Sequence, residues 1–149
     1  LPINQGTTIR FDALAAVDVA AKGGSPIISL FRGTRRPDPI TIRLLERHPL
    51  GSQAFYPLVD AEWLVVVATG NADDTAPDFT SLRCFLANGT QGVSYARSTW
   101  HHPLLVLLPE QDFLVVDRAT PVDETKGQNL DEVWFEGPSG IAALIPQIK

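Results

Sequence analysis

Apolar and β-branched residues fall along this chain in short runs, each bounded by glycine, proline or asparagine. Runs at 7–11, 26–31, 40–45, 53–56, 63–68, 82–86, 92–97, 104–108 and 113–117 have the length and make-up of strands, and 133–135 offers one more. Turn signals separate them: Lys22-Gly23-Gly24-Ser25, Arg35-Arg36-Pro37-Asp38-Pro39, Pro49-Leu50-Gly51-Ser52, the stretch 70–77, Asn88-Gly89 and Pro109-Glu110-Gln111-Asp112. Strands recurring about every ten residues predict an all-β fold, an antiparallel β-barrel or jelly roll with little helix. Only two segments could be helical. The Ala-rich stretch 12–21 would make a turn or two, and 141–148 would be a short terminal helix or a docked tail, limited by Pro146. No solenoid-length repeat, low-complexity tract or long linker divides the chain, so 1–149 is expected to form one domain.

The same two-residue period places candidate chemistry. Across 41–48, alternation puts Ile42, Leu44, Glu46 and His48 on one face and Arg43, Leu45 and Arg47 on the other. After the turn at Gly51 the chain returns, so that Gln53 looks back at Glu46 and His48. A later strand ends in Trp100-His101-His102-Pro103. Neighbours on an extended chain face opposite sides, so one histidine points inward. His102 is the expected one, with Trp100 on its face walling the pocket. Glu46, His48, Gln53 and His102 are candidate metal ligands, since imidazole, carboxylate and amide oxygen suit a borderline divalent ion; the other reading of a strand-end histidine before proline is a structural or surface residue. An inward Glu beside an inward His costs desolvation unless it is paired or has a task, which argues for a polar pocket with or without metal.

Composition narrows the classes. Twelve Lys+Arg against 17 Asp+Glu leave a net charge of −5, without the basic excess of a nucleic-acid binder. The single Cys84 excludes an intramolecular disulfide and is expected in the core. No apolar run approaches the ~20 residues of a membrane-spanning helix. No signal peptide is visible, and a cytoplasmic setting is expected. There is no methionine and the chain begins at Leu1, so it is expected to lack a native N-terminal segment. The basic turn of Arg32, Arg35 and Arg36 reads as a solvated loop, with an anion site as the alternative. Phosphate-loop, G-x-S-x-G and dinucleotide patterns are absent from the sequence.

The positions of Glu46, His48 and Gln53 match the offsets of the first metal-binding motif of the cupin superfamily, with Glu and Gln substituted in it; a second cupin motif supplies a later histidine. Longer blocks extend the likeness: Glu46-Arg-His-Pro-Leu-Gly-Ser-Gln-Ala-Phe55, Trp63-Leu-Val-Val-Val-Ala68, Phe85-Leu-Ala-Asn-Gly-Thr-Gln-Gly-Val93, Thr99-Trp-His-His-Pro-Leu104 and Asp112-Phe-Leu-Val-Val-Asp-Arg118. With the opening Pro2-Ile3-Asn4-Gln5-Gly6-Thr7, they make residues 2–118 resemble the ureidoglycolate lyase family. The resemblance implies a cupin-like barrel, a homodimer, and cleavage of (S)-ureidoglycolate to glyoxylate and urea. It departs at Ala96, where relatives often carry His, and in the tail after Arg118, which is expected to concern assembly more than chemistry. The homodimer interface is expected to use the N-terminal strands or the 141–148 tail.

Such a substrate carries hydroxyl, carboxylate and ureido nitrogen on one carbon. Its elimination needs a base for the hydroxyl proton, an acid for the departing nitrogen, and a cation for the carboxylate. Glu46, His48, His102 and Asp117 are the expected proton-transfer groups. Gln53 and Trp100 are expected to contact substrate, and Arg10, Arg32, Arg43 and Arg97 are the expected carboxylate anchors. A divalent ion, Ni(2+) or Mn(2+), is the expected cofactor, with no organic one. Two alternatives stand beside the lyase: a non-catalytic cupin module that binds a small acid, and a cupin isomerase or hydrolase for another small polar substrate.

Overall fold

A computed structural model describes residues 1–121 and 127–135, together with the backbone of 143–145. Fourteen strands are described: β1 (Pro2–Ile3), β2 (Thr8–Ile9), β3 (Ser25–Thr34), β4 (Ile40–Ile42), β5 (Leu44–Arg47), β6 (Gln53–Pro57), β7 (Trp63–Ala68), β8 (Arg83–Ala87), β9 (Val93–Tyr95), β10 (Trp100–His101), β11 (Leu105–Val106), β12 (Glu110–Ala119), β13 (Asp131–Trp134) and β14 (Ala143–Ile145). All their pairings are antiparallel. Helix among the described residues is limited to three short 3₁₀ turns. The all-β, antiparallel architecture expected from the strand spacing is what the chain adopts, and it is consistent with the cupin-like fold that the resemblance implies.

Two sheets pack face to face. One runs β3-β12-β6-β9; the other runs β8-β7-β10-β5-β13, with β11 continuing the β10 side of β7. Among the described residues no ladder joins them, so the barrel is an open sandwich. Phe55, Trp63, Val65, Tyr95, Val106, Phe113 and Val115 fill the space between the sheets. Strand β7 is the centre of the molecule. Its odd-numbered residues enter this inter-sheet core, while Leu64, Val66 and Ala68 enter a second one with Ile40, Ile42, Leu45, Trp100 and Leu105. A strand buried on both faces reads as an unbroken apolar run, and Trp-Leu-Val-Val-Val-Ala is one.

Three expectations need correction. The 12–21 stretch does not form a helix: it has no apolar stripe at helical spacing to bury, and it runs irregularly up to a 3₁₀ turn at Ala21–Gly23. It is pinned instead by two bonds to Ser52, from the Asp18 amide to the hydroxyl and from the Ser52 amide to the Asp18 carbonyl. The 40–48 run is two strands, not one. The break at Arg43, whose carbonyl accepts from the Phe135 amide, shifts the phase. Ile42 consequently shares the outer core with Leu45, and Glu46 faces the other way. Cys84 is exposed on β8, at the rim of its sheet. In the terminal segment, 143–145 pairs as a strand with β4; 141–142 and 146–148 lie outside the described residues.

Candidate active site

The inner faces of the two sheets meet at a cavity of about 300 Å³, bordered by Glu46, Gln53, Tyr95, His101 and His102. Glu46 sits on β5 directly opposite His101 on β10, and directly opposite Glu132 on β13. Residues paired across a sheet share a face, so His101 points inward. Its Nε2 lies 3.6 Å from Glu46 Oε1, and His48 Nε2 lies 4.0 Å from the same oxygen. These three side chains bring their ligand atoms within 4.8 Å of one another.

The hydrogen bonds on the far side of each imidazole fix its tautomer. His48 Nδ1 lies 2.8 Å from the Asn129 carbonyl and His101 Nδ1 lies 2.8 Å from the Thr99 carbonyl. A carbonyl only accepts, so both Nδ1 atoms carry the hydrogen and both Nε2 atoms present lone pairs. Those two Nε2 atoms are buried without a hydrogen-bond partner. The Glu46 carboxylate between them is a third acceptor. Three acceptors converging with no donor among them is a set that a cation satisfies, and a backbone carbonyl behind each ring is the usual support of a metal-bound histidine. The donors fit a divalent ion bound by nitrogen and oxygen.

Electrostatics agree with geometry. Burial pushes the His101 pKa down to about 4, so the ring is neutral. His101 also stacks on Tyr95, ring centroids 4.1 Å apart and planes 10° from parallel. Burial pushes the Glu46 carboxyl up, and Glu132 adds to the rise while His48 opposes it. Burial likewise pushes His102 down to about 4. Its Nδ1 lies 2.7 Å from the Pro103 carbonyl, which leaves Nε2 as the lone pair here too.

The expected ligand set therefore differs in two members: His101 stands in place of His102, and Gln53 is turned to Asp117. Glu46 and His48 converge as expected, but the histidine that joins them is His101. The reason is a β-bulge. His101 pairs with Val67 and Leu105 with Leu64, so three residues, 102–104, oppose two on β7. The extra residue breaks strict alternation and brings both His101 and His102 to the cavity wall. Trp100 does not wall the pocket; it is buried in the outer core under Arg47, whose guanidinium stands 4.6 Å from the ring centre. Gln53 lines the cavity from the facing sheet and donates from Nε2 to Asp117 at 3.2 Å. Asp117 thus stands behind Gln53. The expected anchors are dispersed. Arg10 pairs with Asp12 on the N-terminal arm. Arg97 donates to the Pro49 carbonyl and approaches Asp18. Arg32 lies at the cavity edge with two donors committed to Asp112. Arg43 borders a second cavity.

Two contributors escaped the sequence reading. Tyr95 is visible in the sequence only as a strand aromatic, and its stacking on His101 depends on two sheets meeting. Asn129 belongs to the tail that was expected to concern assembly. Its carbonyl holds His48, and its side-chain oxygen accepts from the Leu50 amide at 2.7 Å, so the tail reaches the chemistry.

Comparison with known proteins agrees with this site. The family model described as ureidoglycolate lyase matches residues 1–142. A protein of Burkholderia mallei (strain NCTC 10229) named ureidoglycolate lyase is 51% identical over 136 residues, which is 91% of this chain and 78% of the relative. One of Pseudomonas syringae pv. tomato with the same name is 48% identical over 134 residues, 90% of this chain and 74% of the relative. Ureidoglycolate lyase 1 of Rhizobium meliloti (strain 1021) is 47% identical over 90% of this chain and 74% of its own length. A match spanning both sheets and every residue of the Glu46–His48–His101 cluster leaves one conclusion: the chain belongs to the ureidoglycolate lyase family.

Proposed function

We propose that this protein cleaves (S)-ureidoglycolate to glyoxylate and urea. The observation that carries the reading is the convergence of Glu46, His48 and His101, in a chain of this family, with Glu46 and His101 on the wall of a cavity sized for a small polar molecule. Glu46, His48 and His101 would hold a divalent cation, and nickel or manganese suits that donor set. When bound, such an ion supplies a Lewis acid that lowers the pKa of a substrate hydroxyl.

The remaining groups bind the substrate and move protons. His102, neutral and carrying its lone pair on Nε2, takes the hydroxyl proton. The oxygen's electron pair then forms the new carbonyl, the C–N bond breaks, and the same ring returns a proton to the departing urea nitrogen. Gln53, its amide nitrogen drawn toward Asp117, offers its carbonyl oxygen to the ureido N–H groups. Tyr95 and Phe55 exclude water from one side of the cavity. We further infer a cytoplasmic homodimer formed through the outer face of the β3 sheet, where Ile28 is 72% and Leu30 58% exposed.

The test is direct. Purified protein supplied with nickel or manganese is given (S)-ureidoglycolate, and urea and glyoxylate are measured together. Equal release of both is expected. Release of ammonia in place of urea, or no release with either metal, overturns the reading. Binding of glyoxylate without turnover would identify a small-acid-binding module instead.

A further inference from the structure

The arginines of the described chain divide into two groups. Arg10, Arg32, Arg35, Arg47 and Arg97 each lie within ion-pair distance of a carboxylate. Arg83 donates to the Leu82 carbonyl, and Arg118 donates to that of Ala21. The guanidinium groups of Arg36 and Arg43 form no hydrogen bond or ion pair among the described residues. These two border one and the same second cavity, of about 250 Å³, together with Thr41, His102 and Trp134. Asp38 lies there too, but both its oxygens accept from Arg35.

His102 is a wall of both cavities. The charge of Arg36 acts on His102 and on Glu46 alike, so the two spaces are electrostatically joined. The side chains of the first cavity alone offer an anionic substrate little positive charge. Of the converging side chains, Glu46 and His101 line it as acceptors, and its one arginine, Arg32, is held in a two-pronged bond by Asp112. Two guanidinium groups beside one concavity repel each other, and a carboxylate between them removes that repulsion while matching their planar donor forks.

We propose that Arg36 and Arg43 form the carboxylate subsite of the substrate, which reaches past His102 to the Glu46–His48–His101 cluster. The proposal rests on the lyase reading for the identity of the substrate, and its ligand class is a small α-hydroxy or α-oxo carboxylate. The basic turn at Arg35-Arg36-Pro37 thereby gains the anion-binding role that was its alternative reading.

The experiment compares the parent protein with Arg36→Gln, Arg43→Gln, the double variant, and Arg83→Gln as a control on charge alone. Glyoxylate binding is measured by calorimetry, and KM and kcat by urea release, on metal-supplied protein. Each single variant is expected to weaken glyoxylate binding and raise KM by about tenfold or more, the scale of a lost charged hydrogen-bond pair. Their kcat should stay within about threefold, and Arg83→Gln should match the parent. A folded double variant that binds glyoxylate within about twofold of the parent overturns the subsite, whatever the turnover. Parent protein that binds glyoxylate, loses it in the variants, and releases no urea keeps the subsite and removes the lyase reading. Parent protein that does neither removes both.

Discussion

At the scale of single residues, the site is defined by which side of each imidazole is tied down. Backbone carbonyls take Nδ1 of His48, His101 and His102, and every Nε2 is left to act. His101 and His102 are adjacent, yet the roles assigned to them differ. His101→Ala should remove bound metal and urea release together, and His102→Ala should keep the metal while lowering kcat about 10²-fold, the loss of one positioned proton-transfer group. Elemental analysis beside kinetics separates the two; metal loss in His102→Ala, with metal retained in His101→Ala, would reverse the assignment. Stability should also depend on pH. Both rings have folded pKa values near 4, below the ordinary 6.5. Above 6.5 neither state holds the extra protons. As pH falls below 6.5 the unfolded chain takes them up and the native one does not, so stability drops until about pH 4. Glu46, raised by burial, works in the opposite sense because the native state protonates it first. Two groups against one leave a net loss of stability for metal-free protein as pH falls from 7 to 4.5, readable by denaturant unfolding.

At the scale of elements, strand positions were legible because period and turn chemistry are local. The runs at 53–56, 63–68 and 82–86 appear as β6, β7 and β8 with ends shifted by at most one residue. What escaped was non-local. Nothing near Arg43 announces that the strand breaks there, since its carbonyl is taken by Phe135, 92 residues further along. Nothing in Trp-His-His-Pro announces a bulge, because a bulge is a mismatch between two strands and only one of them is visible at a time. Alternation therefore placed Glu46 and His48 together correctly and then chose His102 over His101. The turn at Asn88-Gly89 shows how tightly elements meet. A Cβ on Gly89 would lie 2.3 Å from the Ala61 amide nitrogen and 2.3 Å from the Asp60 Cα, both backbone atoms that cannot swing aside. Gly89→Ala should cost about 1–3 kcal/mol in urea unfolding while leaving the activity of the folded fraction intact. A cost near zero would mean that this contact relaxes freely.

At the scale of the whole molecule, the sandwich presents two very different sheet faces to its surroundings. The outer face of β7, β10 and β5 is covered by β4 and by Phe135. Among the described residues nothing covers the outer face of β3, β12 and β6, which carries Ile28, Leu30, Tyr56 and Leu114 in contact with solvent. An exposed apolar sheet face of this kind supports the homodimer proposed above. Light scattering is expected to give twice the 16.2 kDa of one chain, and Leu30→Lys with Ile28→Lys should return the mass to one chain without unfolding it. A parent protein at single-chain mass across concentrations would remove the dimer.

The hold of Asn129 on His48 carries a consequence for how such an enzyme can diversify. Among the described residues, the polar stretch beyond Arg118 contributes no ligand atom to the Glu46–His48–His101 cluster, yet its backbone sets the angle and basicity of a ring inside it. Drift in that stretch can tune the centre from outside, leaving every reactive side chain unchanged: the trailing segment serves as a tuning peg, and the two sheets as the frame it pulls against.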